Sequence, residues 1–270
     1  MPASPLLRRP IVLLAIGLCA IAAVTTLLGR LTNGPTAESK PVTLPETSGV
    51  VAYPAFSPDG SRLAYSQRGV TKDDAFHLLI RGVPSGAAQQ LTQQVNQGPA
   101  NDISPAWSPD GASIAFLRLE NGHAQCMVIP ANGGAERKIA DFPAAEAIQT
   151  QPRLAWSPDG KSLAAAIGGE NQPAAIARID IASGAIHPIT TPPDGTEGDW
   201  SPAISPDGST LAFARGGSAD AADLYACDFA GGNLRRLTFS GRAIHGLDWM
   251  PNGSDLIYAA QLYNGTKLWR

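Results

Sequence analysis

The sequence predicts an all-β fold, a β-propeller of about five four-stranded blades preceded by one N-terminal transmembrane helix. Three observations predict it. A Ser-Pro-Asp-Gly motif recurs in register, short apolar segments follow each copy at matching offsets, and one uncharged apolar run stands near the N-terminus. Self-similarity at a period of roughly 40–50 residues marks a propeller or a comparable array.

The motif comes first. PAFSPDGSRLAYS starts at Pro54, PAWSPDGASIAFL at Pro105, LAWSPDGKSLAAA at Leu154, PAISPDGSTLAFA at Pro202 and a looser LDWMPNGSDLIYA at Leu247. Asp59, Asp110, Asp159, Asp207 and Asn252 hold one position, spaced by 51, 49, 48 and 45 residues. Proline presets φ, aspartate bonds the neighbouring backbone and glycine accepts positive φ, so each copy reads as a tight turn between two strands. The aspartates are therefore turn residues rather than a ring of metal or catalytic carboxylates.

Strands flank each turn. Phe56, Trp107, Trp156, Ile204 and Trp249 stand before it, and Leu63-Ala64-Tyr65, Ile114-Ala115-Phe116, Leu163-Ala164-Ala165, Leu211-Ala212-Phe213 and Leu256-Ile257-Tyr258 stand after it. A third strand is expected at Leu78–Ile80, Met127–Ile129, Ile176–Ile179, Leu224–Ala226 and Leu268-Trp269. A fourth should end in Leu91-Thr92, Ile139-Ala140, Ile189-Thr190 or Leu237-Thr238, after turns at Gly86, Gly133-Gly134, Gly184 and Gly231-Gly232. Four antiparallel strands per repeat is blade architecture. The repeats occupy 51–270, with blades starting near 54, 105, 154, 202 and 247. The fifth repeat stops after its third strand; Pro41-Val42-Thr43-Leu44 resembles the missing fourth and would close the ring, the alternative being an open arc with exposed edges.

The N-terminal element is IVLLAIGLCAIAAVTTLL between Pro10 and Gly29. About 18 uncharged residues nearly cross a hydrocarbon core. Arg8 and Arg9 before it, against Arg30 after it, place the N-terminus in the cytoplasm. Residues 1–9 are then a short cytoplasmic tail, 10–29 the span and 30–50 a polar linker containing the possible closing strand at 41–44. A cleaved signal peptide is the rival, but the run is long for one and Leu27-Leu28-Gly29-Arg30 is a poor cleavage sequence.

Composition excludes several classes. Charged residues make up 16% of the chain and the net charge is −3, so no basic field exists to hold nucleic acid. Cys19, Cys126 and Cys227 form no disulfide framework, and the latter two read as buried free thiols. His77, His123, His187 and His245 lack metal-ligand spacing. No catalytic, cofactor or metal residue is therefore assigned, and no cofactor is expected.

The five motif copies, the Leu-Ala-(Tyr/Phe) strands and Arg235-Arg236-Leu237-Thr238 resemble TolB-like, WD-repeat-like propeller repeats over residues 41–270. The whole layout also resembles the C-terminal sensor half of bacterial membrane-spanning winged-helix or kinase regulators. Only nine residues precede Pro10, so the chain is expected to lack their cytoplasmic output domain, and DNA binding or phosphotransfer does not carry over. The same repeats build the non-catalytic propeller of prolyl-oligopeptidase-type hydrolases. The Gly-x-Ser-x-Gly elbow of those enzymes is absent from this sequence.

Four further readings complete the expectation. Asp102 and Asp199 sit where loops enter a blade, near an end of the central channel, with a structural hydrogen bond expected ahead of a ligand contact. Arg62, Lys161 and the Arg235-Arg236 pair read as solvated charges, and Trp269 as core packing. The expected function is a non-catalytic binding or sensory module on the outer, periplasmic side of the cytoplasmic membrane, with a protein, peptide or glycan partner. The alternatives are a truncated remnant of a transmembrane regulator, a propeller accessory to a hydrolase, or an enzyme with a cluster at the channel mouth.

Overall fold

The computed structural model describes residues 49–71, 74–93, 100–144, 153–168, 172–218, 220–262 and 265–270. They form five antiparallel sheets. Blade 1 comprises Val50–Phe56 (β1), Arg62–Arg68 (β2), His77–Gly82 (β3) and Gln89–Gln90 (β4); blade 2 comprises Asn101–Trp107 (β5), Ser113–Glu120 (β6), His123–Pro130 (β7) and Arg137–Pro143 (β8). Blade 3 holds Leu154–Trp156 (β9), Ser162–Ile167 (β10), Ala175–Asp180 (β11) and Ile186–Pro188 (β12). Blade 4 holds Gly198–Ile204 (β13), Thr210–Ser218 (β14), Ala221–Asp228 (β15) and Arg235–Arg236 (β16). Blade 5 holds Ile244–Trp249 (β17), Leu256–Leu262 (β18) and Gly265–Trp269 (β19). Strand order follows chain order in every sheet. The expected span at 10–29 and closing strand at 41–44 lie outside the described residues. No helix among the described residues is long and apolar enough to cross a membrane.

The motif's chemistry explains the turns. Ser57, Ser108, Ser157 and Ser205 each donate an Oγ–H to the aspartate two residues on, at 2.5–2.6 Å. The same carboxylates accept the backbone N–H of Ser61, Ala112, Lys161 and Ser209. These bonds favour the ionised form and hold Asp59 and Asp207 at about 2. Each later turn meets the one before it: Gly111 lies beside Pro58, Gly160 beside Pro109, Gly208 beside Pro158 and Gly253 beside Pro206. The five turns thus form a contiguous row on one face.

Apolar side chains fill the seams between consecutive blades. Ala64, Leu78 and Ile80 of blade 1 pack with Trp107, Phe116 and Ile129 of blade 2, and Trp200 and Leu224 of blade 4 with Ile244 and Leu247 of blade 5. Blades 2, 3 and 4 share a third cluster that includes Leu163, Ile176 and Phe213. Complete burial of a side chain such as Phe116 or Phe213 contributes about 1.5–3 kcal/mol. In four blades the small residue of Leu-Ala-(Tyr/Phe) or its equivalent, Ala64, Ala115, Ala164 and Ala212, is fully buried and lets the sheets approach closely.

An indole bond joins the seams. Trp107 Nε1 donates to Ala55 O at 3.0 Å, Trp156 Nε1 to Ala106 O at 3.0 Å and Trp249 Nε1 to Ala203 O at 3.1 Å. Phe56 and Ile204 occupy the same position without a donor, and Phe56 is 62% exposed.

Two strand expectations need correction. The inner strands of blades 1, 2, 4 and 5 begin a few residues before the expected starts, because each carries a bulge upstream of the motif. In blades 1, 3 and 4 the outer strand stops short of its Leu-Thr or Ile-Thr pair. There the threonine leaves the ladder as a side-chain cap: Thr92, Thr190 and Thr238 accept the N–H of Leu78, Ile176 and Leu224 on Oγ1 at 2.8–3.0 Å.

Candidate functional site at the channel

The five inner strands converge on a cavity of about 490 Å³, a size that admits a small ligand or a peptide end. Its wall is contributed by Tyr53–Phe56, Ser104–Trp107, Arg153–Trp156, Pro202–Ile204 and Leu247-Asp248, with Pro109 from the neighbouring turn.

Local sequence shapes that wall. Three residues before the aromatic or β-branched position stand Tyr53, Ser104, Arg153, Ser201 and Gly246. Tyr53, Ser104 and Ser201 have φ of 55°, 57° and 50°, a left-handed conformation that costs non-glycine residues about 1–3 kcal/mol and persists only where the surroundings enforce it. Each precedes a proline, Pro54, Pro105 or Pro202, and proline disfavours the right-handed helical region for the residue before it. Proline also lacks an N–H, so it enters the bulge without sacrificing a ladder bond.

Blades 3 and 5 depart from this pattern together. Leucine replaces the proline at Leu154 and Leu247, and Arg153 and Gly246 replace the tyrosine or serine. One residue before the aromatic or β-branched position, Ala55, Ala106, Ala155 and Ala203 give way to Asp248 in blade 5. These departures meet in space. A Cβ on Gly246 would fall 2.7 Å from Arg153 Cζ and closer still to Nη2, so the absence of a side chain there seats the guanidinium.

Burial lowers the Arg153 pKa, with the Asp248 charge opposing the shift. Burial raises that of Asp248, opposed by the Trp249 N–H and by Arg153. Both residues keep solvent exposure and line the cavity. Asp248 Oδ1 accepts the Trp249 N–H at 2.8 Å. Arg153 makes no hydrogen bond or ion pair among the described residues. The channel therefore presents an uncommitted fork of N–H donors beside a carboxylate.

Arg153, Gly246 and Asp248 were not singled out by sequence reasoning. Their signal is a break in the repeat, visible only when the blades are aligned in bulge register.

Asp102 and Asp199 do not face the channel. Asp199 is fully buried and accepts Arg215 Nε and Nη2 at 2.6 and 2.8 Å. Asp102 holds Arg118 in the same way at 2.7 and 2.9 Å, and Arg118 also reaches Glu136 at 2.7 Å. Both pairs are cross-strand structural links, β5 to β6 and β13 to β14.

Arg62 is not a free solvated charge. It donates to Gly111 O and Asn132 Oδ1 of blade 2 and stacks 4.6 Å over Trp107. Arg236 pairs with Asp223, whereas Arg235 and Lys161 are exposed. Trp269 is 41% exposed and stacks on Tyr258 at 6.5 Å, so it covers the sheet rather than entering the core. Cys126 and Cys227 are buried and unpaired, with burial raising their thiols to about 12 and about 11. Among the described residues no group of three His, Cys, Asp or Glu is placed to hold a metal ion.

Comparison with known proteins agrees with this geometry. Residues 35–154 match the TolB beta propeller domain. A stretch of 117 residues is 32% identical to the uncharacterized peptidase YuxL of Bacillus subtilis (strain 168), covering 42% of this chain and 16% of that protein. Another of 49 residues is 41% identical to the Tol-Pal system protein TolB of Escherichia fergusonii, covering 18% of this chain and 11% of that one. The alignments thus span a small part of these relatives' length. The crystal structure of TolB from Acinetobacter baumannii superposes with a TM-score of 0.69 at 21% identity, over 86% of this chain and 54% of that one. The chain carries a five-bladed β-propeller whose fold is that of the TolB structure and whose residues 35–154 match the TolB beta propeller domain.

Proposed function

We propose that this TolB-like β-propeller is a non-catalytic binding or sensory module, anchored through residues 10–29 to the outer face of the cytoplasmic membrane and taking a protein or peptide partner at its channel face. The observation that carries the reading is the channel itself, where five inner strands build a concave wall and leave Arg153 and Asp248 exposed to solvent. Binding groups held on strands are positioned more tightly than groups on loops.

The test is site-directed photocrosslinking on the full chain in membranes. A photoreactive residue at Ala106, on the channel wall, should yield a discrete protein adduct, and the same residue at Gln90, on the outer strand of blade 1, should not. Equal labelling from both positions, or from neither, removes the reading. Protease treatment of spheroplasts tests the topology: cleavage of the propeller without lysis is expected, and protection overturns the outward placement.

One observation favours a second reading. The longer of the two alignments described above is with an uncharacterized peptidase, which suits a propeller accessory to a hydrolase. In that case the adduct from Ala106 would contain a peptidase domain.

A further inference from the structure

We propose that Arg153, Gly246 and Asp248 form a carboxylate-binding site in the channel, suited to the free C-terminal carboxylate of a peptide. The inference rests on the binding-module reading and adds the ligand's chemistry. Three features carry it: departure from the repeat, convergence and unspent hydrogen-bonding capacity.

The other blades show what this position needs structurally. Tyrosine or serine followed by proline builds the bulge in blades 1, 2 and 4, and alanine serves before the aromatic or β-branched residue in blades 1 to 4. The blade therefore does not require Arg153 or Asp248 as an architectural element. Gly246 makes the room that the guanidinium fills. The two charges stand in mutual electrostatic reach without closing into an ion pair. The Arg153 fork matches a carboxylate in two parallel hydrogen bonds. Asp248 stands ready for a donor next to that carboxylate, such as the amide N–H of the same C-terminal residue. The prolines and alanines of the wall suit the carbon of a short peptide end.

The test uses the full chain in detergent and isothermal titration with three probes: N-acetyl-trialanine, its C-terminal amide and sodium acetate. The free acid should bind about 10- to 100-fold more tightly than the amide, the span expected for charge-assisted hydrogen bonds. Arg153→Gln and Gly246→Ala should abolish that preference, and Arg153→Lys should restore part of it. Acetate binding as tightly as the tripeptide, and equally dependent on Arg153, supports the site with a small free acid as its source; tighter tripeptide binding supports a peptide end. Equal affinity of acid and amide, no carboxylate binding, or unchanged affinity in Arg153→Gln overturns the proposal. A partner crosslinked at Ala106 that persists undiminished in Arg153→Gln also overturns it, while leaving the binding-module reading intact. The acid-against-amide comparison needs no variant and so does not depend on any variant's folding.

Discussion

Substituting Asp199 by alanine should be among the most destabilising single changes in the propeller. The carboxylate is fully buried and receives two short hydrogen bonds from Arg215, whose side chain is itself only 9% exposed. Removing the anion leaves a guanidinium stacked against Phe213 and Tyr225, at 5.4 and 5.2 Å, without its counter-charge. Breaking one partner of a buried pair costs about 3–5 kcal/mol. For a domain of 150–250 residues each kcal/mol lowers Tm by about 2–4 °C, so the drop should lie at about 6–20 °C. Urea unfolding followed by tryptophan fluorescence gives the free energy. Arg215→Met should cost less, and adding it to Asp199→Ala should recover part of the loss, because the stranded charge is then gone. Asp255→Ala is the control: its partner Arg270 is 67% exposed, and an exposed pair contributes about 0–1 kcal/mol. A cost below about 1 kcal/mol for Asp199→Ala, or simple additivity with Arg215→Met, would refute the claim that burial sets the size of the effect.

The remaining predictions follow the repeat chemistry. Trp156→Phe removes the bond to Ala106 O and should lower stability by about 0.5–1.5 kcal/mol, measured by the urea midpoint; no change would show that the indole N–H contributes nothing to the seam. Asp59 and Asp207 are held at about 2, below the ordinary carboxylate value, so their stabilisation is present above about pH 4 and is lost as pH falls toward 2. Unfolding midpoints measured across that window should flatten in Asp59→Asn/Asp207→Asn, and an unaltered slope would assign acid sensitivity to other groups. Burial raises Cys126 to about 12 and Cys227 to about 11. In a Cys19→Ser background, both should resist thiol labelling at pH 8 until urea unfolds the chain; rapid labelling of native protein would contradict their burial. Thr190→Val leaves the buried Ile176 N–H without its hydroxyl acceptor and should cost about 1–3 kcal/mol by the same assay.

The blades were legible because their chemistry is local. Serine, proline, aspartate and glycine specify one turn within four residues, and the apolar strands must follow it. The outer strands were less so: Leu91-Thr92 and Leu237-Thr238 read as continuing ladders because only the structure shows their hydroxyls turning back onto strand three. Arg62 looked solvated since its partners, Gly111 and Asn132, belong to the next blade. Asp102 and Arg118 are 16 residues apart yet directly opposite in the ladder, a pairing that follows once the bulge is placed. Arg153 and Asp248 were illegible for a different reason. They are distant in sequence, Arg153 just before one motif copy and Asp248 inside the loosest, and become conspicuous only against the residues that their blades lack.

The indole bonds give the series of blades a direction. Each runs from an inner strand back to the blade before it, and the series breaks twice, at Ile204 of blade 4 and at Phe56 of blade 1, neither of which has a proton to give. At that position any neighbour on the outer side of blade 1 meets carbon alone. Such a joint responds to solvent differently from the seams behind it: cooling weakens apolar contact and sulfate strengthens it. Temperature and salt would therefore act on contacts at Phe56 and Ile204 before they acted on the seams that an indole bond joins.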